Sequence, residues 1–94
     1  MQRVTIRFEG RVQGVGFRMH VADVARNFAV TGRVCNVADG SVELVAEGEA
    51  EVLTDFHQAI RERMSRNIVS ERVAWAEVAG SQWRDFGIAA DKLV

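Results

Sequence analysis

Apolar and polar residues alternate over residues 3–12. Val4, Ile6, Phe8 and Val12 fall on one face, with Gly10 among them, and Arg3, Thr5, Arg7, Glu9 and Arg11 fall on the other. A period of two with one apolar face predicts a half-buried strand. The run Gln13-Gly14-Val15-Gly16 breaks it, and the period then changes. Val21, Val24, Ala25 and Phe28 recur at i, i+3, i+4 and i+7, which predicts an amphipathic helix over 17–28. Its end is weakly signalled, because Ala29 stands where a left-handed glycine cap is expected, and Gly32 marks the start of the next element.

Residues 33–38 read as a second strand and 41–47 as its partner. Asp39-Gly40 between them reads as a two-residue hairpin turn with positive φ at both positions, and Gly48 ends the hairpin. A second helix follows over 49–66, with Val52, Leu53, Phe56, Ala59, Ile60 and Met64 as its apolar stripe. Glu49 and Glu51 at its start and Arg61, Arg63 and Arg66 near its end complement the helix dipole. His57 falls outside the strict stripe and is expected on the flank. A fourth strand covers 70–79, with Val73 and Trp75 on one face and Ala74, Ala76 and Val78 on the other. A short strand over 86–89 completes the pattern.

The order β-α-β-β-α-β predicts an α+β fold. Right-handed crossovers turn it into a ferredoxin-like split βαβ sandwich, an antiparallel sheet with both helices on one face. Such a fold hosts enzymes, RNA binders and regulatory domains, so it decides little about function.

Composition narrows the class. The chain has 94 residues, which is room for a single domain over 1–94. Apolar runs such as 73–76 are too short to span a bilayer, and charges interrupt any secretory signal at the N-terminus, so no membrane partner is expected and the cytoplasm is the default location. Cys35 is the only cysteine, so there is no internal disulfide and no zinc site. Proline is absent, leaving the turns to Gly, Asn, Asp and Ser. A net charge of −1 argues against a general nucleic-acid binder. The charges are unevenly spread. Residues 1–40 carry six arginines against three acids, whereas 41–66 carry Glu43, Glu47, Glu49, Glu51, Asp55 and Glu62. A small anionic ligand held by the N-terminal half fits that asymmetry, and so does a mixed solvated surface.

Candidate chemistry concentrates at the first strand-to-helix junction. Gly14 and Gly16 let the backbone approach a ligand closely, so that successive N–H groups form an anion nest. The following helix adds its free N–H groups and the positive end of its dipole. Arg18, in the first helical turn, offers a planar fork that matches two phosphate oxygens. A glycine-rich turn before a helix is, by itself, more often only a turn. The run is neither a Walker loop nor a dinucleotide fingerprint, since Gly-Lys-Ser/Thr and the Gly-x-Gly-x-x-Gly spacing are both missing.

Val12-Gln13-Gly14-Val15-Gly16-Phe17-Arg18 resembles the first signature of the acylphosphatase family. The stretch from Gly32 through Asn36 and Asp39-Gly40-Ser41 to Val42, closed by Gly48, resembles the second. The resemblance implies hydrolysis of an acyl phosphate to carboxylate and phosphate without metal or cofactor. It implies that Arg18 binds the phosphoryl group and that Asn36 positions the attacking water. The backbone of Gln13, Gly14, Val15, Gly16, Phe17 and Arg18 would cradle the phosphate oxygens. These residue types suit that substrate. Phosphoryl transfer is mostly positioning and charge stabilisation. A carboxylate leaves without protonation, so no general acid is needed, and the substrate's own phosphate oxygen can take the proton that asparagine cannot. The expected partner is a small anionic acyl phosphate, and a monomer is the default assembly.

Arg33 and Cys35 depart from the family pattern, which has an aromatic at the first position and often a basic residue at the second. Alternation puts both on the face opposite Asn36. Arg33 is expected to be a solvated strand residue. Cys35 has no base partner and reads as a small strand residue rather than a nucleophile. His20 and Asp23 are expected on the helix surface, and Trp75 and Trp83 in core or rim packing. Val34-Cys35-Asn36 also resembles the acylphosphatase-like domain that opens the carbamoyltransferases of hydrogenase maturation. Many of those carry proline after the arginine, where this chain has Met19. An RNA-binding module of this topology would need exposed strand aromatics, and the strands show Arg7, Glu9, Cys35 and Val37 instead.

Overall fold

In the computed structural model, which describes Met1–Val94, the alternation over the first strand becomes burial. β1 (Gln2–Gly10) turns Val4, Ile6 and Phe8 inward and keeps Arg3, Thr5, Arg7 and Glu9 on the other face. It is followed by α1 (Phe17–Ala25), β2 (Thr31–Asn36), β3 (Val42–Gly48), α2 (Ala50–Arg63), β4 (Ile68–Glu77) and β5 (Phe86–Ile88). The sheet order is β4-β1-β3-β2-β5, and β1 pairs antiparallel with β3 and β4, as β2 does with β3. This is the expected ferredoxin-like α+β arrangement. Ile6 lies opposite Leu44, Phe8 opposite Val42 and Val34 opposite Leu44, so the apolar rows of three strands share one face. Both helices cover that face. Phe17, Val21 and Val24 of α1 and Leu53, Phe56 and Ile60 of α2 complete one core with those rows. No helix is long and apolar enough to cross a membrane.

The fifth strand changes the sheet from antiparallel to mixed, because β5 runs parallel to β2. The reason is topological. β4 and β5 are opposite edges, and a chain that finishes β4 and returns along the far edge must run against β4, as β2 also does. Four strand spacings separate them, about 19 Å. The segment between Glu77 and Phe86 makes the crossing, and Glu47 anchors it. This carboxylate is 1% exposed. Its Oε1 accepts from Gln82 N at 2.7 Å and Ser81 Oγ at 3.0 Å, and its Oε2 from Arg3 Nε at 2.8 Å. Burial alone would raise its pKa, but these donors outweigh burial and hold it below the usual carboxylate value.

Several other expectations shift. β1 ends at Gly10 because its pairing with β4 changes register after Glu9, although Val12 remains buried. α1 stops at Ala25, where Asn27 N and Phe28 N bond to the carbonyls three residues back and tighten the last turn. β2 and β4 each begin two residues earlier than predicted, and α2 is shorter at both ends. The hairpin is not a two-residue turn. Gly40 N bonds to Val37 O at 3.0 Å, only Gly40 has positive φ, and Val37 N bonds to Ser41 O, which makes a three-residue loop. The Asp39 carboxylate accepts from Ser41 N and Oγ instead of letting its own backbone turn left-handed. Trp75 is 46% exposed on the edge strand, not in the core. Arg33 is not merely solvated. It pairs with Asp85 at 2.9 Å, donates to the carbonyl of Asp85 and lies over the Trp83 ring, fastening the segment that enters β5.

His57 is buried rather than on the flank. Its Nε2 lies 2.8 Å from Glu71 Oε1, and Phe8 stands edge-on to its ring. Burial lowers its pKa from the ordinary 6.5, against the upward pull of Glu71. The folded chain therefore holds fewer protons here than the unfolded chain, and this stability is full above about pH 6.5 and lost as pH falls toward the folded value. Thermal melts should show a midpoint that drops between pH 7 and pH 5 in the wild type and a flatter profile in His57→Gln. An equal acid loss in the variant would place the sensitivity elsewhere.

Candidate active site

The turn from β1 into α1 takes the chain through two left-handed residues, Gly14 at φ 74° and Gly16 at φ 76°. A Cβ on Gly14 would meet nothing within 4 Å, so backbone conformation rather than space calls for glycine there. Gly16 is the N-cap of α1 and supplies no side-chain cap. The first helical bond is His20 N to Gly16 O, and none of the N–H groups from Gly14 to Met19 donates a hydrogen bond within the chain. Six successive donors and the positive end of a helix are thus gathered at one place.

Asn36, the last residue of β2, faces the same place. It lies opposite Val42 on the helix-covered side of the sheet, while Arg33 and Cys35 point to the other side, as alternation predicts. Its Oδ1 is the one buried side-chain polar atom in the chain without a hydrogen-bond partner. A cavity of about 290 Å³ joins Gly14, Gly16, Phe17, Arg18, Asn36 and Ile88. Four of the predicted residues therefore meet Asn36 in one pocket. Gln13 and Val15 do not line it. Val15 packs against the core. Gln13 acts through its side chain, which the sequence reading missed: Nε2 donates to Val37 O and to Ser41 O, both at 2.8 Å, and braces the loop against the end of the hairpin that carries Asn36.

The chain after β5 is tied to the end of β2 and to β3. Lys92 N donates to Asn36 O and Ala38 N to Lys92 O, both at 2.8 Å, and Lys92 Nζ reaches Glu43 at 2.9 Å. This places Asp91 Oδ1 3.7 Å from Arg18 Nη1, with Asp91 largely exposed and Arg18 partly so. No spacing in the sequence links residues 18 and 91. Cys35 is buried on the opposite face, and burial, with Glu43 nearby, pushes its thiol pKa up, which disfavours the thiolate. His20 and Asp23 are exposed on α1, as expected, and Asp23 pairs with Arg63 at 2.7 Å. No group of three or more His, Cys, Asp or Glu residues is placed to hold a metal ion.

Comparison with known proteins gives matches in sequence and in fold. The family model for acylphosphatase matches residues 4–88. The acylphosphatase of Pseudothermotoga lettingae is 38% identical over 88 residues, covering 94% of this chain and 98% of that one. The crystal structure of acylphosphatase from Bacillus subtilis superposes with a TM-score of 0.83 at 31% identity, covering 95% of this chain and 99% of that one. HypF of T. kodakarensis superposes with a TM-score of 0.81 at 26% identity, but all of this chain matches only 12% of that one.

The Asp91 carboxylate competes with any anion for Arg18. An exposed pair of this kind is worth up to about 1 kcal/mol, so Asp91→Asn should tighten inorganic phosphate binding by up to about fivefold at low salt. Competitive inhibition by phosphate measures it. Unchanged or weaker binding would mean that Asp91 orients Arg18 rather than competing for it.

Proposed function

Because this chain belongs to the acylphosphatase family and hydrolyses acyl phosphates, we propose that Arg18 and Asn36 carry that reaction, with the loop amides of residues 13–18 as the phosphate cradle. The observation that carries this reading is the unpartnered, buried Asn36 Oδ1 in the same pocket as Arg18 and the unpaired amides. The Arg18 fork holds two phosphoryl oxygens, and the amides donate to the oxygens that gain charge as the bridging bond lengthens. A water donates one hydrogen bond to Asn36 Oδ1, which turns its lone pair toward phosphorus. The water oxygen bonds to phosphorus as the bond from phosphorus to the bridging oxygen breaks. The water's proton passes to a phosphoryl oxygen, and carboxylate and inorganic phosphate depart. The carboxylate leaves as an anion, so no acid need be present opposite the water.

Benzoyl phosphate hydrolysis tests the assignments. Arg18→Ala should lower kcat/KM by about 10²–10³-fold or more, the scale of losing a donor to developing charge. Asn36→Ala should lower kcat by about 10²-fold with a smaller change in KM, because it removes water orientation rather than phosphate binding. Full activity in either variant, with circular dichroism confirming the fold, would remove that residue from the mechanism. A phosphomonoester such as 4-nitrophenyl phosphate should turn over far more slowly than benzoyl phosphate, because its leaving group is poorer.

A further inference from the structure

Beside the pocket of Arg18 and Asn36 lies a second and larger groove, of about 730 Å³, and the two share Gly16, Met19 and Ile88. One wall is a stripe of α1. Met19, Ala22, Asp23 and Arg26 recur at i, i+3, i+4 and i+7 and all line it. Phe86 and Ile88 of β5 and Arg63 of α2 line it as well. The end next to the phosphate cradle carries Met19, 71% exposed, and Ile88, 45% exposed, with the His20 ring beside Gly16. The far end is cationic. Asp23 is taken up by Arg63 at 2.7 Å, while Arg26 pairs with no carboxylate within 4.0 Å. Arg26 follows Arg18 by eight residues along the helix direction, a rise of about 12 Å. The surface therefore presents the loop amides, a stretch in which Met19, Ala22, Phe86 and Ile88 outnumber the one polar ring of His20, and a free arginine, in that order.

We infer that this groove receives the acyl part of the substrate, and that the favoured substrates are acyl phosphates whose chain continues as an apolar stretch to a second anionic group, held by Arg26. The inference rests on the reading that Arg18 and the loop amides hold the phosphoryl group. With that end fixed, the acyl group must leave the small pocket, and the shared residues Met19 and Ile88 mark where the pocket opens into the groove. Each methylene laid fully against these side chains would raise kcat/KM by at most about fourfold. A terminal carboxylate at Arg26 would add up to about fivefold at low salt, and salt would screen it.

Three substrates test this: acetyl phosphate, octanoyl phosphate and the monophosphate of octanedioic acid. In the wild type, kcat/KM should rise in that order, and the advantage of the dicarboxylic over the octanoyl substrate should shrink toward one at high ionic strength. Arg26→Gln should abolish that advantage at low salt. Met19→Ser, an exposed change, should narrow the gap between octanoyl and acetyl phosphate. Equal rates on all three substrates would overturn the groove while leaving the Arg18 reading intact. A dicarboxylic advantage that persists in Arg26→Gln would overturn the role of Arg26. Failure to hydrolyse any of the three would overturn both.

Discussion

The backbone at Gly14 and Gly16 carries two obligations at once. It must lift the chain from β1 onto the helix layer within a few residues, and it does so with two left-handed residues. Those residues leave the amides from Gly14 to Met19 without acceptors inside the chain. Phe17 follows directly and buries its ring 5.1 Å from that of Phe8, so the start of α1 is pinned to the sheet. Gln13 pins the other end of the loop to Val37 and Ser41. The donors are thus held in place by packing and by one side-chain amide. A site organised beforehand in this way loses little to reorganisation when charge develops on it.

Covering only one face of the sheet leaves the other face to be neutralised. There the arginines of β1 meet the glutamates of β3, with Arg3 on Glu47 and Arg7 on Glu43. Two of the six arginines of the basic first part and two of the six acids of the middle are therefore paired between neighbouring strands. Arg18 is set apart because it stands on a helix end and not in that sheet network. The same network has a role beyond neutralisation. Glu47 fastens the crossing segment, and Glu43 fastens Lys92, whose backbone bonds to Asn36. The face away from the helices thereby sets the position of the last strand and of the segment that brings Asp91 to Arg18.

Stability is surrendered in the pocket that holds Arg18 and Asn36. A buried polar atom without a partner costs about 1–3 kcal/mol, and Asn36 Oδ1 is the one such side-chain atom in the chain. The helix N-terminus also lacks a side-chain cap, which is ordinarily worth about 1 kcal/mol. Both departures from local preference fall in the same pocket, where a functional site is expected to break local rules.

Periodicity together with glycine breaks and the Asp39-Gly40 turn determined most of the fold. These are local properties of the chain, and they located the elements to within a few residues. The glycine loop and Arg18 were likewise legible, because a nest, a helix start and an arginine adjacent in sequence must be adjacent in space. Asn36 was legible only through the second signature, since a polar residue at a strand end has no local mark of function. What the sequence could not show depends on contacts between distant residues. Glu47 looked like any strand acid until the crossing segment covered it. His57 looked like a flank residue until Glu71 of β4 met it. The parallel pairing of β5 follows from which edge is left open after four strands have assembled. Asp91 reaches Arg18 across more than seventy residues of chain, a juxtaposition that only the assembled sheet creates.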